Sequence, residues 1–161
     1  MKINFKQKKI LIIVPHPDDE VLGAGGMLAK YSEFGWDIEA LVISGHLPPL
    51  YEKKNFEITR KEYEKSAKII GINSTTFLKI PATKVHEFPV SELNEKIAKS
   101  INMAKPSILL IPFPDRHIDH KTIFESCMVA SRPVKFGREI DLIACYETLS
   151  ETHWNAPYIE Q

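Results

Sequence analysis

Five short apolar runs limit what this chain can become. They are "KKILIIVP" (8–15), "DIEALVIS" (37–44), "STTFLKI" (74–80), "SILLIP" (107–112) and "EIDLIACYE" (139–147). Each is short, continuous and rich in β-branched or aliphatic residues, which is the pattern of a buried strand. Segments with helical signals separate them. Residues 23–34 read as a helix with a glycine-rich first turn. In 56–70, Phe56, Tyr63, Ala67 and Ile70 recur at helical spacing, and Gly71 stands where a C-cap belongs. Ser91 is placed to cap the next helix, with Asn94 in the capping-box position and Pro106 as its stop. Residues 118–130 read as a fourth helix, and 45–55, with its Pro-Pro pair, as a loop. Strand and helix alternating at this spacing predict an α/β fold, a parallel sheet with helices on both faces.

Bulk properties narrow the function. The chain has 161 residues, enough for one domain with a real core. Lys+Arg and Asp+Glu both number 21, so nothing in the net charge favours nucleic acid or an anionic membrane as a partner. No run approaches the roughly 20 apolar residues of a membrane span. The basic N-terminus leads into only a short apolar run that ends in charged residues, unlike a signal peptide. Cys127 and Cys145 are far apart in sequence and lie among apolar residues, which predicts buried free thiols and a cytoplasmic location.

Two polar clusters interrupt this pattern. "PHPDDE" (15–20) follows the first strand, and "PFPDRHIDH" (112–120) follows the fourth. In open parallel sheets ligands bind beyond the carboxyl ends of the strands, so both clusters belong to one rim. The first offers His16, Asp18, Asp19 and Glu20; the second offers Asp115, His117, Asp119 and His120. Imidazole and carboxylate suit zinc, whose catalytic sites use about three protein ligands and keep one position open. His16, Asp19 and one histidine of the second cluster would supply the ligands. Asp18 could take a proton from water, and the other histidine could donate to an oxyanion. Asp119, beside a histidine, could fix its tautomer. A lone aspartate here would be an ordinary helix N-cap; the coincidence of two clusters carries the metal reading. His46, in the loop after the second strand, is the remaining histidine best placed to line the site. Gly23, Gly25 and Gly26 lack the third glycine of a dinucleotide loop, since Leu28 stands there, and read as helix–strand packing.

"PHPDDE" after a first hydrophobic strand and "PDRHIDH" after a later one resemble the PIG-L / LmbE-like N-acetylglucosaminyl deacetylases. Arg60, Ala67 and Gly71 resemble that family's second helix, and "YETLSETHW" (146–154) resembles a stretch near its active site. The resemblance implies a Rossmann-like three-layer sandwich with a mostly parallel central sheet. It implies one zinc ion per chain, with another divalent metal as the alternative, held by His16, Asp19 and His120. Asp18 would be the general base. His117 would stabilise the oxyanion and protonate the leaving amine, with Asp119 orienting it. Glu20 would be structural, bonding nearby backbone or Arg60. Arg60 and His46 are expected at the substrate. The implied reaction removes an N-acetyl group from an N-acetylglucosamine-type sugar or conjugate, a small-molecule partner. Assembly as a homo-oligomer stays open.

Two departures from the family pattern shape this expectation. Ala82 stands where an aspartate contacting the sugar is common, and residues 1–161 read as a single domain lacking the family's C-terminal segment. The competing expectations are a deacylase of another small N-acyl amide and a non-catalytic metal- or sugar-binding module.

Overall fold

The computed structural model describes residues 5–148. Strands β1 (Lys9–Val14), β2 (Asp37–Gly45), β3 (Ser74–Pro81), β4 (Ile108–Pro112) and β5 (Leu142–Tyr146) alternate with helices α1 (Asp19–Glu33), α2 (Lys54–Ile69), α3 (Val90–Ala104) and α4 (Ile118–Ala130). The strands form one sheet in the order β3-β2-β1-β4-β5. Every neighbouring pair is parallel, with Ile10 beside both Ile38 and Ile108. This is the three-layer α/β architecture expected from the sequence.

The central strands are buried on both sides, which is why they read as continuous apolar runs rather than alternating ones. Ile10, Ile12 and Val14 pack on one side with Ala24 and Leu28 of α1 and Tyr63 and Ala67 of α2. Leu11 and Ile13 pack on the other with Leu93, Ile97 and Ile101 of α3 and Ile123 and Cys127 of α4. Burying one such aliphatic side chain contributes about 1.5–3 kcal/mol.

Several boundaries differ from expectation for local reasons. α1 begins at Asp19 rather than residue 23, because the Asp18 carbonyl already accepts the N–H groups of Val21 (3.1 Å) and Leu22 (3.0 Å). Asp19 and Glu20 thereby enter its first turn, where the helix dipole favours negative charge. The helix places Gly23 against the end of β5, where a Cβ would collide with the Glu147 carbonyl and the Tyr146 ring. α3 begins at Val90 with Pro89 at the cap, so Ser91 is not the cap. The buried Asn94 Oδ1 has no partner among the described residues. Gly71 follows α2 with φ +83, a conformation that glycine adopts without strain. β5 is shorter than expected, since Lys135–Glu139 forms a 3₁₀ turn. Cys127 is buried as expected, but Cys145 is exposed on the edge strand β5. No helix among the described residues is long and apolar enough to cross a membrane.

Candidate active site

The order of the sheet reverses between β1 and β4, and a crevice opens beyond the carboxyl ends of such a pair. Both polar clusters lie there. After β1, the His16 carbonyl accepts the N–H groups of Asp18 (2.8 Å) and Asp19 (3.2 Å), which turns the chain into α1. The Ser44 hydroxyl (2.8 Å) and backbone N–H (3.0 Å) bond the Pro15 carbonyl and pin this turn to β2. After β4, the His117 N–H donates to Asp115 Oδ1 (2.8 Å). His117 then caps α4, its Nδ1 accepting the Asp119 N–H at 3.1 Å.

Three donor atoms meet at the centre. His16 Nδ1 is 3.2 Å from Asp19 Oδ2, His120 Nε2 is 3.3 Å from the same oxygen, and the two nitrogens are 3.3 Å apart. A tetrahedral zinc ion bound at about 2.0–2.1 Å needs neighbouring donors about 3.3–3.4 Å apart, so the triangle fits it. The outer ring nitrogens are engaged by buried carboxylates. His16 Nε2 is 3.0 Å from Asp119 Oδ2, and His120 Nδ1 is 2.8 Å from Asp115 Oδ2. With the outer nitrogens donating, the inner ones turn lone pairs to the triangle, the usual support of a metal-binding imidazole. Asp119 is held in turn by the N–H groups of Thr83 (2.6 Å) and Val85 (3.2 Å). Thr148 donates to Asp19 Oδ1 at 3.2 Å.

His117 is the alternative third donor, since ring nitrogens of His16, His117 and His120 lie within 4.8 Å of one another. The tighter set is His16, Asp19 and His120. His117 Nδ1 is already occupied by a backbone N–H, which leaves its proton on Nε2.

The electrostatics show a demand for positive charge at the triangle. Burial opposes ionisation of Asp19, but His120 and His16 outweigh it and hold the carboxyl well below the usual range. Burial likewise opposes charge on His16, yet Asp119 and Asp19 push its pKa up to about 9. His120 is raised in the same way, against burial, by Asp19 and Asp115. His117 is lowered, by burial and then by His16 and His120. Burial and the charge of Asp19 raise Asp18.

The triangle forms part of a pocket of about 570 Å³. Of the residues expected from the sequence, His16, Asp18, Asp19, His117, His120 and His46 line it. Three expectations are corrected. The Asp119 carboxylate bonds His16 rather than His117, and only the backbone N–H of Asp119 reaches His117. Arg60 does not line the pocket; its guanidinium pairs with Glu57 (2.9 Å) and Glu64 (3.3 Å) along α2. Glu20 does not bond Arg60, and the backbone contact it makes with its own residue and Asp18 does not offset its burial. It is fully buried, no side chain among the described residues hydrogen-bonds its carboxyl oxygens, and burial pushes it up to about 8. Sequence reasoning left Asp115 without a role and did not single out Thr83, Tyr51, Thr59, Glu62 or Thr148. Asp115 lies inside the second cluster, whereas the other five belong to no local spacing that signals a site. Of "YETLSETHW", residues 149–154, with His153, lie outside the described residues.

Fold and site together define an α/β domain with a His/Asp donor cluster at the reversal point of its sheet. The chain belongs to the PIG-L family: the signature described as "PIG-L: GlcNAc-PI de-N-acetylase" matches residues 11–131. It is 32% identical over 124 residues to a diacetylchitobiose deacetylase of Thermococcus kodakarensis, covering 71% of this chain and 45% of that protein. It is 32% identical over 140 residues to the uncharacterized deacetylase YaiS of Escherichia coli, covering 80% and 71%. The solved N,N′-diacetylchitobiose deacetylase of Pyrococcus horikoshii superposes with a TM-score of 0.74 at 25% identity, covering 88% of this chain and 61% of that one. The chain thus spans about half of the Thermococcus relative and under two thirds of the Pyrococcus one.

Proposed function

We propose that the protein is a zinc-dependent N-deacetylase that hydrolyses the acetamide of an N-acetylglucosamine-type sugar or conjugate. The observation that carries this reading is the triangle of His16 Nδ1, Asp19 Oδ2 and His120 Nε2, with sides of 3.2–3.3 Å, beside Asp18 and His117 in one pocket. His16, Asp19 and His120 would hold the metal. When bound, the metal supplies a Lewis acid for the acetyl carbonyl and a water of lowered pKa.

The chain's own groups do the rest. Asp18 takes the proton of the attacking water; its raised pKa makes it a stronger base than an ordinary aspartate. His117 donates its Nε2–H to the developing oxyanion. An imidazolium would need a proton on Nδ1, where the Asp119 N–H already points, so this ring serves as a neutral donor. Asp18 therefore also delivers the proton to the departing amine as the C–N bond breaks, giving acetate and the free amino sugar. Asp115 and Asp119 position His120 and His16 without touching substrate.

The test is to load the protein with zinc and follow free amine and acetate from a panel of N-acetyl sugars. About one zinc per chain together with acetate release is the expected result. Bound zinc with no acetate from any sugar would leave only a binding module.

A further inference from the structure

The pocket has a second side, which takes no part in the chemistry above. His46 and Tyr51 from the segment after β2, with Thr59, Glu62 and Ser66 of α2, line it. A chain of hydrogen bonds determines the state of His46. The Thr59 hydroxyl has a single proton, which it donates to the Asn55 carbonyl at 2.7 Å. Toward His46 Nδ1, 2.9 Å away, Thr59 Oγ1 can then only accept, so Nδ1 carries a proton. In the neutral ring Nε2 is left as a lone-pair acceptor. The ring also packs on Tyr51, with centroids 4.1 Å apart at 39°, which holds its orientation.

The second observation is charge. Among the described residues that line the pocket, Asp18, Asp19 and Glu62 are acidic and none is lysine or arginine. Arg60 is turned to Glu57 and Glu64. Arg116, beside His117, is exposed and is not one of the lining residues. A phosphate or carboxylate on the substrate would lose hydration without gaining, among the described residues, the charged N–H donors that normally receive it. It would also face Glu62.

We propose that this side of the pocket is a sugar subsite that selects an uncharged N-acetyl glycoside over an anionic one. Glu62 disfavours an acidic substituent, and His46 Nε2 accepts a sugar hydroxyl. The proposal rests on the N-deacetylase reading and narrows it to neutral substrates.

Binding can be separated from turnover. Calorimetry on zinc-loaded Asp18→Asn compares methyl N-acetyl-α-glucosaminide with N-acetyl-α-glucosamine 1-phosphate, which share ring and anomer and differ in the charge of the C1 substituent. The neutral glycoside should bind about tenfold more tightly. Adding Glu62→Gln should narrow that ratio about threefold and Glu62→Lys further, because only the charge changes sides. Adding His46→Phe keeps an aromatic ring against Tyr51 but removes the acceptor. It should weaken the neutral ligand about fivefold, with metal content unchanged. Equal or tighter binding of the phosphate, a ratio unmoved by Glu62→Lys, or binding of neither sugar overturns the subsite. Acetate release by the unmodified protein is scored separately. A binding preference without acetate removes the deacetylase reading and leaves the subsite. Acetate released from both sugars alike, with no binding preference, does the reverse.

Discussion

The two sides of the pocket are built in opposite ways. At the triangle, Asp19, Asp115, Asp119 and His120 are all at most 3% exposed, and each engages at least one partner of fixed geometry. Opposite them, Tyr51 and His46 are half-buried and Glu62 is exposed, and the polar contact holding His46 is a neutral one to Thr59. Buried charges must be paired or they cost several kcal/mol, so the triangle tolerates few substitutions. Half-exposed neutral groups can change without disturbing the core. On the proposed reading, the chemistry rests on the rigid side and selection on the adaptable one.

The sharpest way to break this contrast is to remove one corner of the triangle. His120→Ala should take the zinc content from about one per chain to near zero and acetate release to background, while His117→Ala keeps the metal. Loss of the metal in both variants would make the three histidines the holders. Next in size, Asp18→Asn should lower kcat about 10²–10⁴-fold with zinc retained. Unchanged kcat would remove Asp18 as the base.

Glu20 behaves differently: it is buried at the same turn as Asp19, but no side chain among the described residues hydrogen-bonds its carboxyl oxygens. Its pKa rises from 4.5 to about 8 on folding, so the folded chain keeps a proton that the unfolded chain has lost. Stability should therefore fall as pH rises from about 4.5 to about 8 and level off above. Glu20→Gln should remove a loss on the order of 3 kcal/mol between pH 5 and pH 8. Urea unfolding of both proteins at the two pH values checks this, and parallel pH profiles would refute it.

Smaller effects follow. Asp115→Asn should weaken zinc affinity about 10–100-fold while leaving the donors in place, measured by competition with a chelator. An unchanged affinity would mean that Asp115 does not tune His120. Arg60→Ala, at an exposed pair on α2, should change kcat/KM by less than about twofold and stability by under about 1 kcal/mol. A large kcat/KM loss would place Arg60 back at the substrate.

Much of the fold could be read from the chain because the central strands are buried on both faces and so announce themselves as apolar runs. β1, β2, β4 and α4 fall within a residue or two of their expected bounds. The start of α1 was less legible, since glycines at 23, 25 and 26 resemble a first turn whereas carbonyl acceptors at His16 and Asp18 start the helix earlier. The rim was legible because two clusters of one chemistry followed two strands. Which carboxylate serves which histidine was not. Asp119 is next to His120 in sequence and near His117, yet its side chain crosses to His16, 103 positions away.

The alternation of strands and helices, the parallel sheet and the residue types at its rim are legible in the amino-acid sequence, because periodicity and local chemistry are short-range properties. Tertiary packing alone brings His16, Asp19 and His120 together, sets Asp119 and Asp115 behind two of them, buries Glu20 with no side-chain partner among the described residues and turns Glu62 to the pocket. Those are distances between segments far apart along the chain. The packing of β1 against β4 and of α2 beside α1 sets them, and no local pattern records it.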